Sequence, residues 1–227
     1  MSNPSIGMMA ESSLHKALKL HYAGKHGKVE IELGIYICDG RTKEGELIEV
    51  QCASLAPLKE KAEALTKKNK LKVIHPIILR KHIELYDTAG NLLHRRRSPR
   101  KGSAWDLFNA LLHVPELPLL KNLTIELAII ESVEKRIDDG QGSWRRKGIS
   151  VRDRVLCTWL DSLVLSNRKD YRQFAPFKKN EVFTSRNLAE KAGITMALAG
   201  KTLYVLTKMG LVRRTGRQGR AFTYVRT

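Results

Sequence analysis

Apolar positions follow two different rhythms along this chain, and the changes of rhythm separate its elements. Between Glu11 and Tyr22, residues Leu14, Ala17, Leu18 and Tyr22 recur at helical spacing, and Gly24 and Gly27 end that segment. Val29, Ile31, Leu33, Ile35 and Ile37 then occupy every second position, which predicts one long strand. Asp39-Gly40 opens a turn, and Glu46–Gln51 reads as a second strand. Ser54 can cap a helix that carries Pro57 just inside it and runs to Lys68. Leu71–Leu79 is a strongly apolar strand. A hairpin follows, pairing His82–Tyr86 with Leu92–Arg96 around Asp87, Ala89, Gly90 and Asn91. A short helix over Ala104–Leu112, a Pro-rich connection over Val114–Pro118 and a strand over Leu123–Ile130 complete this half.

Asp138-Asp139-Gly140-Gln141-Gly142-Ser143 has the composition of a linker, and the charge balance changes there. From Gly140 onward there are 19 Lys and Arg against 5 Asp and Glu, whereas the preceding 139 residues hold 22 against 18. The overall excess of +18 therefore sits mainly in the C-terminal part, the distribution expected of a phosphate-binding surface. The expected division is a domain over 11–138, a linker over 139–149 and a second domain over 150–227. In the second domain a helix is expected over Val151–Ser166. Two further helices fit Thr184–Ala192 and Thr195–Met209, capped by Thr184 or Ser185 and by Thr195, with Gly193 turning between them. After Gly210 the strands Leu211–Arg214 and Ala221–Val225 flank the turn Thr215–Gly219.

Helix, glycine turn, helix and basic hairpin together resemble the winged helix-turn-helix domain over about Ser150 to Arg226. The resemblance implies an α+β unit that binds DNA. Thr195, Lys201 and Thr202 would lie near bases or phosphates in a major groove. Arg213, Arg214, Arg217 and Arg220 of the wing would contact the backbone or minor groove. The alternative is a winged module that binds protein.

In the N-terminal half, Asp39 and Glu49 end two adjacent strands ten positions apart, and can meet at a hairpin's open side. Carboxylate oxygens of this kind suit Mg²⁺. Glu11–Leu79 here resembles the PD-(D/E)XK nucleases, the restriction-endonuclease-like α/β fold with a mixed sheet. By that resemblance Asp39 is the metal-binding acid, Glu49-Val50-Gln51 stands at the (D/E)-x-K motif, and Glu11 is the acid available on the first helix. Gln51 replaces the family's lysine, and Lys59 on the next helix is the candidate to supply the cation. The resemblance implies a Mg²⁺- or Mn²⁺-dependent DNA endonuclease in which Asp39 and Glu49 hold the metal and Gln51 orients water. The ordinary alternatives are a hairpin turn at Asp39-Gly40 and a solvent-facing Glu49. On that reading the chain is a catalytically inactive DNA-binding regulator or architectural protein.

Two other basic runs could hold phosphate or be solvated loops: His94–Lys101, with Arg95, Arg96, Arg97, Arg100 and Lys101, and Trp144–Lys147, with Arg145 and Arg146. Trp144 is expected to pack at the domain junction. Cys38, Cys52 and Cys157 are too scattered for a zinc site, and no Walker-type phosphate loop or G-x-S-x-G elbow occurs. No apolar run approaches the roughly 18 residues of a membrane span. The polar start, Met1 to Ala10, lacks a charged export region. The expected setting is cytoplasmic or nucleoid-associated, with duplex or branched DNA as partner, no membrane, and a homodimer or larger nucleoprotein complex.

Overall fold

The computed structural model describes residues 11–227; the polar start over 1–10, used above to argue against export, lies outside the described residues. Helix α1 (Ser13–Ala23) begins where the Ser12 side chain accepts the His15 N–H, and ends at Gly24, whose φ of 73° takes the chain out of the helix. The alternating run from Val29 folds back on itself. Strands β1 (Lys28–Leu33) and β2 (Tyr36–Arg41) form an antiparallel hairpin, with Gly34 at φ 63° between them. One long strand was expected here. Gly34 adopts a left-handed conformation that reverses the chain, and Ile35 at the tip is 89% exposed. Asp39 and Gly40 lie inside β2, so the turn expected at that pair is absent. The chain turns instead over Thr42–Glu46, where the Thr42 N–H donates to the Glu46 carbonyl.

Strand β3 (Leu47–Val50) leads through a 3-10 turn at Ala56–Leu58 into α2 (Lys59–Leu65). Strands β4 (Leu71–Tyr86) and β5 (Leu92–Arg97) form the expected hairpin, followed by α3 (Leu107–Ala110) and β6 (Leu123–Asp138). The order across the sheet is β1-β2-β3-β4-β6, with β5 also pairing to β4. β3, β4 and β6 are mutually parallel where they pair, which makes the sheet mixed. This placement explains the near-continuous apolar runs of β4 and β6, since a parallel strand covered on both faces has no solvent side. Ile74, Ala128 and Ile130 pack with Leu14 and Leu18 of α1. Leu71, Val73, Ile125 and Leu127 belong to the cluster under α2 and α3.

The helix expected over Val151–Ser166 is instead β7 (Ile149–Leu165), a 17-residue strand antiparallel to β6. Three register shifts along β7 place Leu156 and Trp159 on the α1 face, with Trp159 stacked on His21 and beside Tyr22, and Leu163 and Leu165 on the opposite face. Of residues 139–149, expected to be a linker, 139–148 form the connection between β6 and β7 and Ile149 opens β7, so the large sheet extends to Leu165.

Beyond it, an Asn167-capped 3-10 run (Arg168–Phe174) precedes β8 (Phe183–Thr184), α4 (Ser185–Ala192), α5 (Met196–Lys208), β9 (Val212–Gln218) and β10 (Ala221–Arg226). The three strands form a small antiparallel sheet in the order β8-β10-β9. Thr184 and Thr195 cap the two helices as expected, and Gly193, at φ 63°, turns between them. This unit is packed onto the first. Trp105 and Phe108 meet Phe174 edge-on, at 5.1 and 4.9 Å between ring centres, and one buried cluster continues from Leu107 and Phe108 to Leu203 and Leu206 of α5. Each such aromatic pair adds about 0.5–1.5 kcal/mol beyond its area burial. The protein is thus a mixed α/β chain with one large mixed sheet. Among the described residues no helix is long and apolar enough to cross a membrane.

Candidate functional site: a carboxylate pair where two strands part

Strands β2 and β3 are paired at Arg41 with Leu47 and at Gly40 with Ile48, and the ladder goes no further. At the next step two side-chain carboxylates take the place of ladder carbonyls. The Val50 N–H donates to Asp39 Oδ2 at 2.8 Å, and the Asp39 N–H donates to Glu49 Oε1 at 3.3 Å. Because the backbone groups at such a fork still need partners, the fold itself draws the two acids together. Neither acid faces solvent, so the solvent-facing alternatives are overturned: the Asp39 side chain is 19% exposed and that of Glu49 only 3%.

Each acid has its own cations. Lys61 Nζ forms an ion pair with Glu49 and donates to the Ile37 carbonyl. On the other side, His15 Nε2 stands 3.4 Å from Asp39 Oδ2 and 3.0 Å from the Val50 carbonyl, and Lys19 Nζ lies 3.9 Å from Asp39 Oδ1. Glu11, immediately before α1, pairs with both His15 and Lys19, the latter at 2.9 Å, and so joins the network without touching Asp39. Burial alone would raise the Asp39 pKa, but the His15 bond, the Val50 N–H and the Lys19 charge together hold it below the usual carboxylate value. Burial lifts Glu49 above its usual value against the pull of Lys61, and the Asp39 charge adds to the lift. Asp39 in turn raises His15 to about 9, and burial pushes the neighbouring Cys38 thiol up to about 12.

A hard divalent cation prefers oxygen ligands, commonly one or two carboxylates plus water and phosphate. Asp39, Glu49 and the Val50 carbonyl fit that chemistry. The chain's own His15 now lies against two of those oxygens, so a metal held there would displace it. Among the described residues no group of three His, Cys, Asp or Glu side chains is arranged to hold a metal ion.

Lys59, the expected cation, is exposed and makes no ion pair among the described residues; the helix turns Lys61 to the site instead. Leu58, Ala62 and Leu65 face the core, and a side chain three residues after Leu58 shares that stripe, whereas one directly after it does not. Gln51 is anchored through its backbone: its N–H donates to the Ile74 carbonyl and its carbonyl lies 2.6 Å from His75 Nδ1. His15 and Lys19 were not anticipated. With Glu11 they form a stripe at four-residue spacing along one face of the first helix, and that spacing was the available signal.

The basic arms divide into open and engaged residues. Strand β5 is exposed throughout, with Arg95 3.6 Å from Glu84. The loop after it is tied back to β4 by the Ser98 N–H on the Lys81 carbonyl and the Gly102 N–H on the Ile78 carbonyl. Arg100 pairs with Asp106 at 3.1 Å, and Lys101 is exposed. Arg213, Arg214, Arg217 and Arg220 are all exposed, and Arg214 and Arg217 lie over the Phe222 ring. On α5, Thr195 is exposed and caps the helix. Lys201 donates to Asn109 Oδ1 at 2.8 Å, on the first unit. Thr202, expected near bases, is fully buried and donates to the Leu198 carbonyl, which removes it from any nucleic-acid surface. Arg145 and Arg146 sit on the β6–β7 connection. The Trp144 beside them, expected to pack, is 83% exposed because that connection projects from the sheet and is no domain junction.

The chain is 27% identical over 221 residues to an uncharacterized protein of Treponema pallidum (strain Nichols), a match that spans 97% of this chain and 87% of the relative. No solved structure matches the chain. Residues 12–166, from the cap of α1 to the end of β7, match the family described as Domain of unknown function (DUF8091), and the chain belongs to that family.

Proposed function

We propose that the chain is a DNA-binding protein and a metal-dependent endonuclease of the restriction-endonuclease-like type, with Asp39, Glu49 and Lys61 as its site. The observation that carries this reading is the meeting of Asp39 and Glu49 at the parting of β2 and β3, with a lysine from α2 on Glu49. Lys61 supplies the cation that Gln51 cannot. Asp39 and Glu49 would hold Mg²⁺ or Mn²⁺ with the Val50 carbonyl. Such a metal, once bound, acidifies a water and offsets charge on the scissile phosphate. Lys61 then stands where a cation can orient that water and neutralise a phosphate oxygen. His15 and Lys19 keep the Asp39 carboxylate ionised and ready to accept a metal. The C-terminal unit is read as a winged helix-turn-helix, with Arg213, Arg214, Arg217 and Arg220, and Arg95, Arg96 and Arg97 of β5, gripping the phosphate backbone. A cytoplasmic, nucleoid-associated setting suits this reading.

The regulator reading keeps one observation in its favour: each acid already satisfies a backbone N–H and is balanced by cations of the chain, which is sufficient reason for its presence. Incubation of supercoiled plasmid and branched DNA with Mg²⁺, Mn²⁺ or chelator separates the two. Metal-dependent nicking by the wild type that Asp39→Asn and Lys61→Ala both lack supports the nuclease. Salt-sensitive binding without nicking by any of the three supports the regulator.

A further inference from the structure

Three tryptophans occur in the chain, and two of them are used by the fold. Trp105 packs on Phe174, and Trp159 stacks on His21. Trp144 has no such role: it is 83% exposed, and its ring's neighbour is the Arg145 guanidinium, 5.6 Å from the ring centre. A tryptophan held in water offers its whole face to a partner when its support is well tied. The support here is rigid. The Gly142 N–H donates to the Gly148 carbonyl, the Arg146 N–H to the Ser143 carbonyl, and the Lys147 N–H to the Trp144 carbonyl. Arg146 Nε ties the turn to the Ile149 carbonyl at 3.1 Å, and Asp139 accepts from Ser150 Oγ at 2.8 Å. A Cβ on Gly142 would lie 1.9 Å from the Ile149 carbonyl oxygen, so the two sides close on each other at the smallest separation glycine allows.

Charge selects the partner. Arg145, Arg146 and Lys147 follow the ring directly, and at the foot of the turn a cleft of about 730 Å³ is lined by Arg146, Arg152 and Arg154 together with Glu11, Ser13 and Asp153, the last of which accepts from Ser13. Glu11 is the outer member of the network that reaches Asp39 through His15 and Lys19. An aromatic face amid cations fits a nucleobase whose neighbouring phosphates meet the arginines.

We propose that Trp144 is a base-stacking finger that engages unpaired or terminal nucleobases, which makes branched or single-stranded DNA the preferred ligand. This rests on the nucleic-acid-binding part of the function proposed above and does not require cleavage. The test is binding of the full chain, in chelator, to a 5′-flap DNA, a (dT)20 oligonucleotide and a sealed dumbbell duplex. Tryptophan emission and fluorescence anisotropy are recorded for wild type, Trp144→Ala and Trp144→Phe, with melting curves to verify folding. Stacking predicts that flap and (dT)20 quench wild-type emission and that Trp144→Ala loses this quenching. Trp144→Ala should bind the flap about tenfold more weakly, with Trp144→Phe recovering most of that loss and the dumbbell changing less than twofold. An equal loss on all three DNAs, or quenching that survives Trp144→Ala, overturns the finger while leaving DNA binding intact. A wild type that binds none of the DNAs overturns both readings. Vesicles of phosphatidylcholine and phosphatidylserine form the last arm, because exposed tryptophan beside cations also suits a membrane surface. A blue shift of Trp144 emission on vesicles, without a response to DNA, replaces the proposal with membrane docking.

Discussion

Replacing Asp39 separates what the fold needs from what chemistry would need. Asp39→Ala removes the acceptor of the Val50 N–H, a 2.8 Å bond to an ionised oxygen at a residue only 2% exposed. A bond of that type contributes about 1.5–3 kcal/mol, because the donor left behind has no water to turn to. The same change deletes the ion pairs to His15 at 3.4 Å and Lys19 at 3.9 Å, together roughly 1 kcal/mol for a partly exposed set. The expected loss is about 3 kcal/mol, or roughly 6–12 °C in melting temperature for a chain of this size. Asp39→Asn keeps an amide oxygen for the Val50 N–H and gives up only the charge, so about 1 kcal/mol, or roughly 2–4 °C, is expected. Thermal unfolding followed by circular dichroism, with plasmid nicking on the same preparations, reads both quantities. The nuclease reading requires Asp39→Asn to be nearly as stable as wild type and inactive. A melting point for Asp39→Ala within a degree of wild type would refute the hydrogen-bond argument. Wild-type nicking by Asp39→Asn would refute the site.

Other expectations follow from the same geometry. Lys61→Ala should abolish nicking while Lys59→Ala leaves it within twofold of wild type, since of these two lysines it is Lys61 that reaches Glu49; equal effects in a plasmid assay would reject the assignment. Burial opposes ionisation of Glu134, but the Arg136 and Lys81 contacts win and hold its pKa near about 2, below the ordinary 4.5. Its contribution to stability is therefore present above about pH 4.5 and is lost as pH falls toward 2; melting curves over that window should fall less steeply for Glu134→Gln than for wild type. Replacing Arg213 and Arg217 by Ala should lower the slope of log affinity against log salt by about one unit per arginine, on every duplex sequence alike. An unchanged slope in a salt titration would remove the wing from the DNA interface.

Parts of this fold were plain in the sequence because local pattern and tertiary setting agree there. The apolar runs of β4 and β6, the β4–β5 hairpin and the capped helices α4 and α5 all came out where the pattern put them. The failures have physical causes. The Val29–Ile37 alternation is real, but it belongs to two strands joined at Gly34, and alternation does not register a reversal that costs only one glycine. β4 and β6 run past Leu79 and Ile130, where buried and more open positions alternate: Ile83, Leu85 and Val133 stay buried while Arg80, His82 and Glu84 interrupt the apolar run, and the hydrogen-bonded ladder continues through them. In β7 the four-residue spacing of Val151, Val155 and Trp159 reads as a helical period, and the register shifts along the strand break the two-residue alternation that would have marked it as a strand.

The candidate site was legible in a different way. Asp39 and Glu49 could be found because acids at the ends of adjacent strands are visible as acids, and the fold does bring them together. The cations could not be placed, since each comes from a helix whose phase relative to the sheet is set by packing. Moving from Lys59 to Lys61 turns a side chain through about 200°, from solvent to the stripe of Leu58, Ala62 and Leu65. His15 and Lys19 reach Asp39 because Leu14 and Leu18, their neighbours in sequence, are the residues that seat α1 on the sheet. Core residues thus fix the electrostatics of the site. A substitution such as Leu18→Ala, remote from any carboxylate, disturbs Asp39 by loosening the helix that holds its cations. The acids mark the place in the sequence, and the packing of two helices decides which cation each of them meets.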